Sequence, residues 1–121
     1  MTARILVVED EFLIRLSLTE ALVEAGFAVT DAETADVALP LVQSGEFDLL
    51  ITDIQLPGML NGTDLARAAR TKQPALPIIY MSGRPPEQAP AVPHTLYIGK
   101  PYTPEDLCRA AQHLLDNAAA G

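Results

Sequence analysis

Only one cysteine, Cys108, occurs among the 121 residues. An internal disulfide is therefore excluded, and the near-absence of cysteine fits a reducing cytoplasm. Basic residues are also scarce: eight Lys and Arg stand against sixteen Asp and Glu, a formal net charge of −8. Proteins that grip a phosphate backbone concentrate Lys and Arg in a patch. Here they are scattered, so no nucleic-acid partner is expected. No apolar run approaches the roughly 20 residues of a membrane span, and the chain passes from Met1-Thr2-Ala3-Arg4 straight into an apolar stretch. Neither a membrane anchor nor a secretory leader is expected. The remainder, 49% apolar and 20% charged, has the composition of one globular domain covering 1–121.

Four short apolar runs end in chemically useful side chains. Leu49-Leu50-Ile51-Thr52 leads into Asp53 and then breaks at Pro57-Gly58, while Ile5-Leu6-Val7-Val8 leads into Glu9-Asp10-Glu11. Ile78-Ile79-Tyr80-Met81 ends at Ser82, and Tyr97-Ile98-Gly99 ends at Lys100-Pro101. Apolar runs of this length read as strands buried on both faces of a parallel sheet, and open α/β folds bind ligands at strand ends. If the first and third strands are neighbours, Asp10 and Asp53 face each other across about 5 Å. Like charges that close need a cation between them. Mg²⁺ suits oxygen ligands and uses only one or two carboxylates. The ammonium of Lys100 could balance whatever anion the metal leaves uncompensated.

This constellation resembles the receiver domain of two-component response regulators, over essentially the whole chain. The resemblance implies a five-stranded parallel sheet of order 2-1-3-4-5, doubly wound and flavodoxin-like. It also implies that Asp53 accepts a phosphoryl group from a phosphohistidine. Asp10, Asp53 and the backbone carbonyl of Gln55 would hold Mg²⁺, with Glu9 acting through water. Lys100 would supply the cation, followed by a cis proline at Pro101, and Ser82 and Tyr97 would form the switch. The implied partners are a sensor histidine kinase or a histidine phosphotransfer protein, together with a downstream protein target. A homodimer is left open. Such a module is not an enzyme beyond slow autophosphorylation and autodephosphorylation.

The intervening segments read as helices. Over 11–25 the apolar residues Ile14, Leu18, Ala21, Leu22 and Ala25 form a core-facing stripe closed by Gly26, whereas Phe12, Leu13, Leu16 and Val23 fall off it. In receivers this helix docks the phosphodonor, so the resemblance favours a docking face. A second strand over 27–32 precedes a helix from Thr34 to Ser44, in which Pro40 predicts a kink or early stop. The third strand is expected over 47–52 and the third helix over 64–71. Four prolines between Pro85 and Pro93 predict that the crossover after Ser82 is a mobile loop or at most one helical turn. Thr103-Pro104-Glu105-Asp106 starts the last helix with a cap, a proline at the first position and acids in the first turn. Residues 117–121 are expected to fray. Glu11, His94 and His113 receive no role.

Two other readings compete. A Mg²⁺ phosphatase of the haloacid dehalogenase kind would want a second aspartate two residues after the nucleophile, where Gln55 stands. A receiver belonging to a hybrid histidine kinase or a longer regulator would carry the same pocket.

Overall fold

The computed structural model describes residues 2–83 and 93–120. Its elements alternate as β1 (Arg4–Val8), α1 (Phe12–Glu24), β2 (Ala28–Ala32), α2 (Ala35–Ser44), β3 (Leu49–Asp53), α3 (Gly62–Lys72), β4 (Ile78–Ser82), β5 (Thr95–Gly99) and α4 (Pro104–Ala120). The strands are all parallel, in the order β2-β1-β3-β4-β5. This is the expected doubly wound sheet.

Alternation along the strands divides the core into two layers. Leu6, Val8, Leu50, Ile78 and Tyr80 pack with α2 and α3 residues such as Ala38, Leu65 and Ala69. Ile5, Val7, Leu49, Ile51, Ile79 and Met81 pack with Leu18 and Leu22 of α1 and Leu107, Ala111 and Leu114 of α4. Because β3 is central, all five of its residues are buried, Asp53 included. The sheet thus carries a carboxylate inward at one end.

Several boundaries differ from the sequence-based expectation. α2 continues through Pro40 to Ser44, so no early stop occurs. Pro40 lies on the exposed side of the helix, where the Asp36 carbonyl that loses its N–H partner can turn to water. β3 begins at Leu49 rather than Phe47. The preceding residues are held differently: Asp48 exchanges bonds with the Arg4 backbone, and Gln73 brackets the main chain of Phe47. α3 starts two residues early because Asn61 caps it, accepting from Asp64 N–H at 2.9 Å while Asp64 accepts from Asn61 N–H at 3.1 Å. α4 does not fray at Asn117 but runs to Ala120. Alanine favours helix, and the pairs Gln112–Asp116 and His113–Asn117 brace its last turns. Ala25 is exposed as the C-cap of α1 rather than part of the buried stripe, and Gly26 follows it at φ 101°. The expectation for the proline-rich crossover falls on 84–92, outside the described residues. At its far end, Arg70 donates to the carbonyls of Leu76 and His94 and to Thr95 Oγ1, tying α3 to the start of β5.

Truncating Leu50, which is fully buried in the centre of the sheet, should cost about 2–5 kcal/mol. The same change at Leu13, 76% exposed on α1, should stay within about 0.5 kcal/mol. Urea denaturation of Leu50→Ala and Leu13→Ala checks both.

Candidate functional site

The β1–β3 register pairs Val8 with Thr52, so the next residues, Glu9 and Asp53, stand side by side where the strands end. Glu9, and not Asp10 as the sequence spacing suggested, is therefore the immediate neighbour of Asp53. Glu9 is fully buried, whereas Asp10 is exposed one residue further on. All three carboxylates still converge, each offering an oxygen within 4.8 Å of the others.

Lys100 enters from the end of β5. Its Nζ lies 2.7 Å from Asp53 Oδ1 and 3.1 Å from Glu9 Oε1. The contact to Asp53 is an ion pair lacking hydrogen-bond geometry, and both Asp53 oxygens are buried without a hydrogen-bond donor. Glu9 is better served: Glu11 N–H donates to its Oε2 at 3.2 Å, and Lys100 donates to Oε1. The Lys100–Pro101 peptide bond is cis, as expected.

These environments separate the two buried acids. Burial, reinforced by Glu9, pushes the Asp53 carboxyl up to about 8 against the opposing pull of Lys100. Burial also disfavours charge on Glu9, but the neighbouring Asp53 carboxyl, the Glu11 N–H and Lys100 outweigh it and hold Glu9 below the usual range. Lys100 is desolvated too, yet Asp53 and Glu9 raise its affinity for its proton. These causes favour the neutral form of Asp53 and the charged forms of Glu9 and Lys100.

Gly62 guards the back of the site. A Cβ there would collide with the Asp53 carbonyl oxygen, so only glycine lets the start of α3 pack so closely, and Gly62 N–H donates to Ile54 O at 2.9 Å. Ser82 ends β4 opposite Gly99. With Ile54, Gln55 and Gly83 it lines a hollow just beyond the ends of β3 and β4, and Gln55 itself is exposed. Tyr97 is half-buried and stacks on Tyr80 at 5.1 Å between ring centroids, on the α2/α3 side of the sheet. Arg15 was not singled out from the sequence. It donates to the Glu9 carbonyl at 2.7 Å and to Asp31 Oδ2 at 3.0 Å. The available signal was a lone basic residue one turn into α1.

Residues 5–112 match the model of the response regulator receiver domain. The chain belongs to that family. It is 35% identical over 118 residues to the response regulator receiver protein CpdR of Brucella abortus, covering 93% of this chain and 96% of that protein. The solved chemotaxis response regulator CheY4 of Vibrio cholerae superposes with a TM-score of 0.84 at 28% identity, covering 94% of this chain and 99% of the other. The receiver domain from the hybrid histidine kinase CckA does so at 0.79 and 29%, covering 93% and 98%. Other curated relatives are longer, and the chain spans only 17% to 48% of them. Receivers are signalling modules that interact with histidine kinases or phosphotransfer proteins and with downstream targets. Among the described residues, no helix is long and apolar enough to cross a membrane.

The shift at Asp53 has a stability consequence. The folded state holds a proton up to about pH 8, which the unfolded chain releases near its ordinary value of 3.8. The folded state binds more protons throughout that window, so metal-free stability falls as pH rises through it. Thermal melting in a chelator from pH 5 to 8, above the titration of Glu9, should show a decline that Asp53→Asn flattens.

Proposed function

We propose that this receiver accepts a phosphoryl group on Asp53 from a phosphohistidine and thereby switches a partner-binding surface. The observation that carries this reading is that both Asp53 oxygens are buried without a donor while Glu9, Asp10 and Lys100 converge on them. Buried polar atoms are normally hydrogen-bonded. Apart from the ion-pair contact with Lys100 at 2.7 Å, the Asp53 oxygens have no such partner among the described residues.

The donor set fits Mg²⁺, a hard cation that takes oxygen ligands and few carboxylates. Asp10, Asp53 and the Gln55 carbonyl would hold it, with Glu9 acting through water. Bound there, Mg²⁺ would displace the Asp53 proton and neutralise phosphoryl oxygens. The chain's own residues supply the rest. A free Asp53 oxygen attacks phosphorus, the phosphorus–oxygen bond forms as the phosphorus–nitrogen bond breaks, and the donor imidazole leaves with the electron pair. Lys100, already against Asp53, balances charge on the phosphoryl oxygens. The added charge of roughly −1.5 to −2 draws the Ser82 hydroxyl inward, and Tyr97 follows.

The donor docks on α1. Phe12 and Leu13 are 62% and 76% exposed there, and a groove of about 530 Å³ lined by Leu13, Ile14, Ser17, Pro101 and Tyr102 opens beside Lys100. An exposed apolar patch of this kind marks an interaction site. We read the protein as a cytoplasmic receiver, consistent with its single cysteine.

Incubation with Mg²⁺ and acetyl phosphate should give a hydroxylamine-labile adduct, detected by intact mass, on the wild type and none on Asp53→Ala. Equal labelling of that variant would overturn the assignment of Asp53.

A further inference from the structure

Arg15 places a guanidinium where only 13% of its side chain meets solvent. A charge so enclosed must be spoken for, and it is. One amino group donates to the Glu9 carbonyl at 2.7 Å, Nε donates to Asp31 Oδ2 at 3.0 Å, and the ring of Phe12 lies over the group at 5.6 Å.

The identity of the first acceptor gives this arrangement its meaning. The Glu9 carbonyl belongs to the peptide that joins Glu9 to Asp10, so its direction decides how the chain leaves β1 and where the Asp10 carboxylate goes. Every other polar atom of Glu9 is already fixed: its N–H donates to Ala32 O at 3.1 Å, and its two carboxylate oxygens accept from Lys100 and the Glu11 N–H. Asp10, by contrast, is exposed. Its place in the cluster therefore depends on the peptide orientation that Arg15 holds. Asp31 faces the other edge of the guanidinium from the end of β2, so two elements fix the angle of the fork. Lysine could not satisfy both acceptors at once, because only the planar guanidinium presents several donors in a rigid frame.

We propose that Arg15 is a positioning residue for the divalent-cation site, holding the Glu9–Asp10 peptide so that the Asp10 carboxylate stays within reach of Asp53. The proposal rests on the reading of the acid cluster as a Mg²⁺ site. Groups just outside a metal's ligands commonly change its affinity by about 10–100-fold. A residue that acts through a single exposed ligand belongs at the lower end of that range.

Titration calorimetry with Mg²⁺ at constant pH and ionic strength tests it. Arg15→Gln should weaken binding about tenfold, and Arg15→Lys by about threefold, since one of the two bonds survives. Asp31→Asn, which removes the ion pair but leaves the Glu9 carbonyl bonded, should stay within about twofold. Asp10→Asn separates positioning from general loosening: in that background, adding Arg15→Gln should cause no further loss, because the carboxylate through which Arg15 acts is gone. Wild-type affinity in Arg15→Gln, or an undiminished further loss in the double variant, would overturn the proposal. Should Arg15→Gln not fold, Arg15→Lys decides alone, and a wild-type dissociation constant in it counts against the idea. Failure of the wild type to bind Mg²⁺ would instead remove the metal-site reading and this inference with it.

Discussion

Three carboxylates share one end of a parallel sheet with a single ammonium, and two of them are buried. Removing charge from water is costly unless it is paired, and Lys100 cannot pair fully with Glu9 and Asp53 together while Asp10 stands beside them. Glu9 takes most of the available donors, leaving Asp53 against Lys100 in poor geometry, with burial favouring its neutral form. The resting pocket is thus short of positive charge by construction. In the proposed function a divalent cation would relieve that shortage and so make room for the charge of a phosphoryl group.

Much of the surrounding structure keeps that uncomfortable cluster in register. β3 is central and buried throughout, so Asp53 cannot swing out to water. Gly62 lets α3 close against the Asp53 carbonyl, and the Asn61–Asp64 capping box sets where that helix begins. Across the pocket, Arg15 ties the end of β1 to Asp31 at the end of β2. None of these residues carries the proposed chemistry. Each removes a way for the carboxylates to separate, which is what their mutual repulsion would otherwise bring about.

The parts of the fold legible in the sequence were those governed by periodicity and punctuation. Unbroken apolar runs gave the strands, and the charged or hydroxylated residues ending them gave Asp53, Ser82 and Lys100. The apolar residues left off the stripe of α1 are exposed in the structure. Tertiary context decided the rest. Pro40 reads as a breaker, yet on an exposed face the helix absorbs it. Gly62 reads as loop, yet it opens a helix because Asn61 caps it, and the neighbouring Asp53 carbonyl leaves room there for no side chain. Spacing could place an acid beside Asp53 but could not say which, because choosing between Glu9 and Asp10 requires the exact register of β1 against β3. Arg15 was missed for a related reason: its acceptors lie on two strands, and one of them is a main-chain carbonyl, which leaves no trace in side-chain patterns.

The same alternation constrains how a signal could leave the pocket. Leu96 and Ile98 of β5 face the α1/α4 layer, and Tyr97 faces the α2/α3 layer beside Tyr80. Continuing the alternation puts Lys100 on the Leu96 side, with Glu9 and Asp53, and puts Ser82 on the side of Tyr80 and Tyr97. The proposed switch pair therefore shares one face of the sheet. At the strand tips Lys100 N–H donates to Ser82 O at 2.8 Å and binds the ends of β4 and β5 together. A pull on the Ser82 side chain acts on the strand tip bonded to Lys100, while Tyr97, three residues before Lys100, rests on Tyr80 of the same strand as Ser82. In the proposed switch, Ser82 and Tyr97 would act as a pair because they share two adjacent strands and one face.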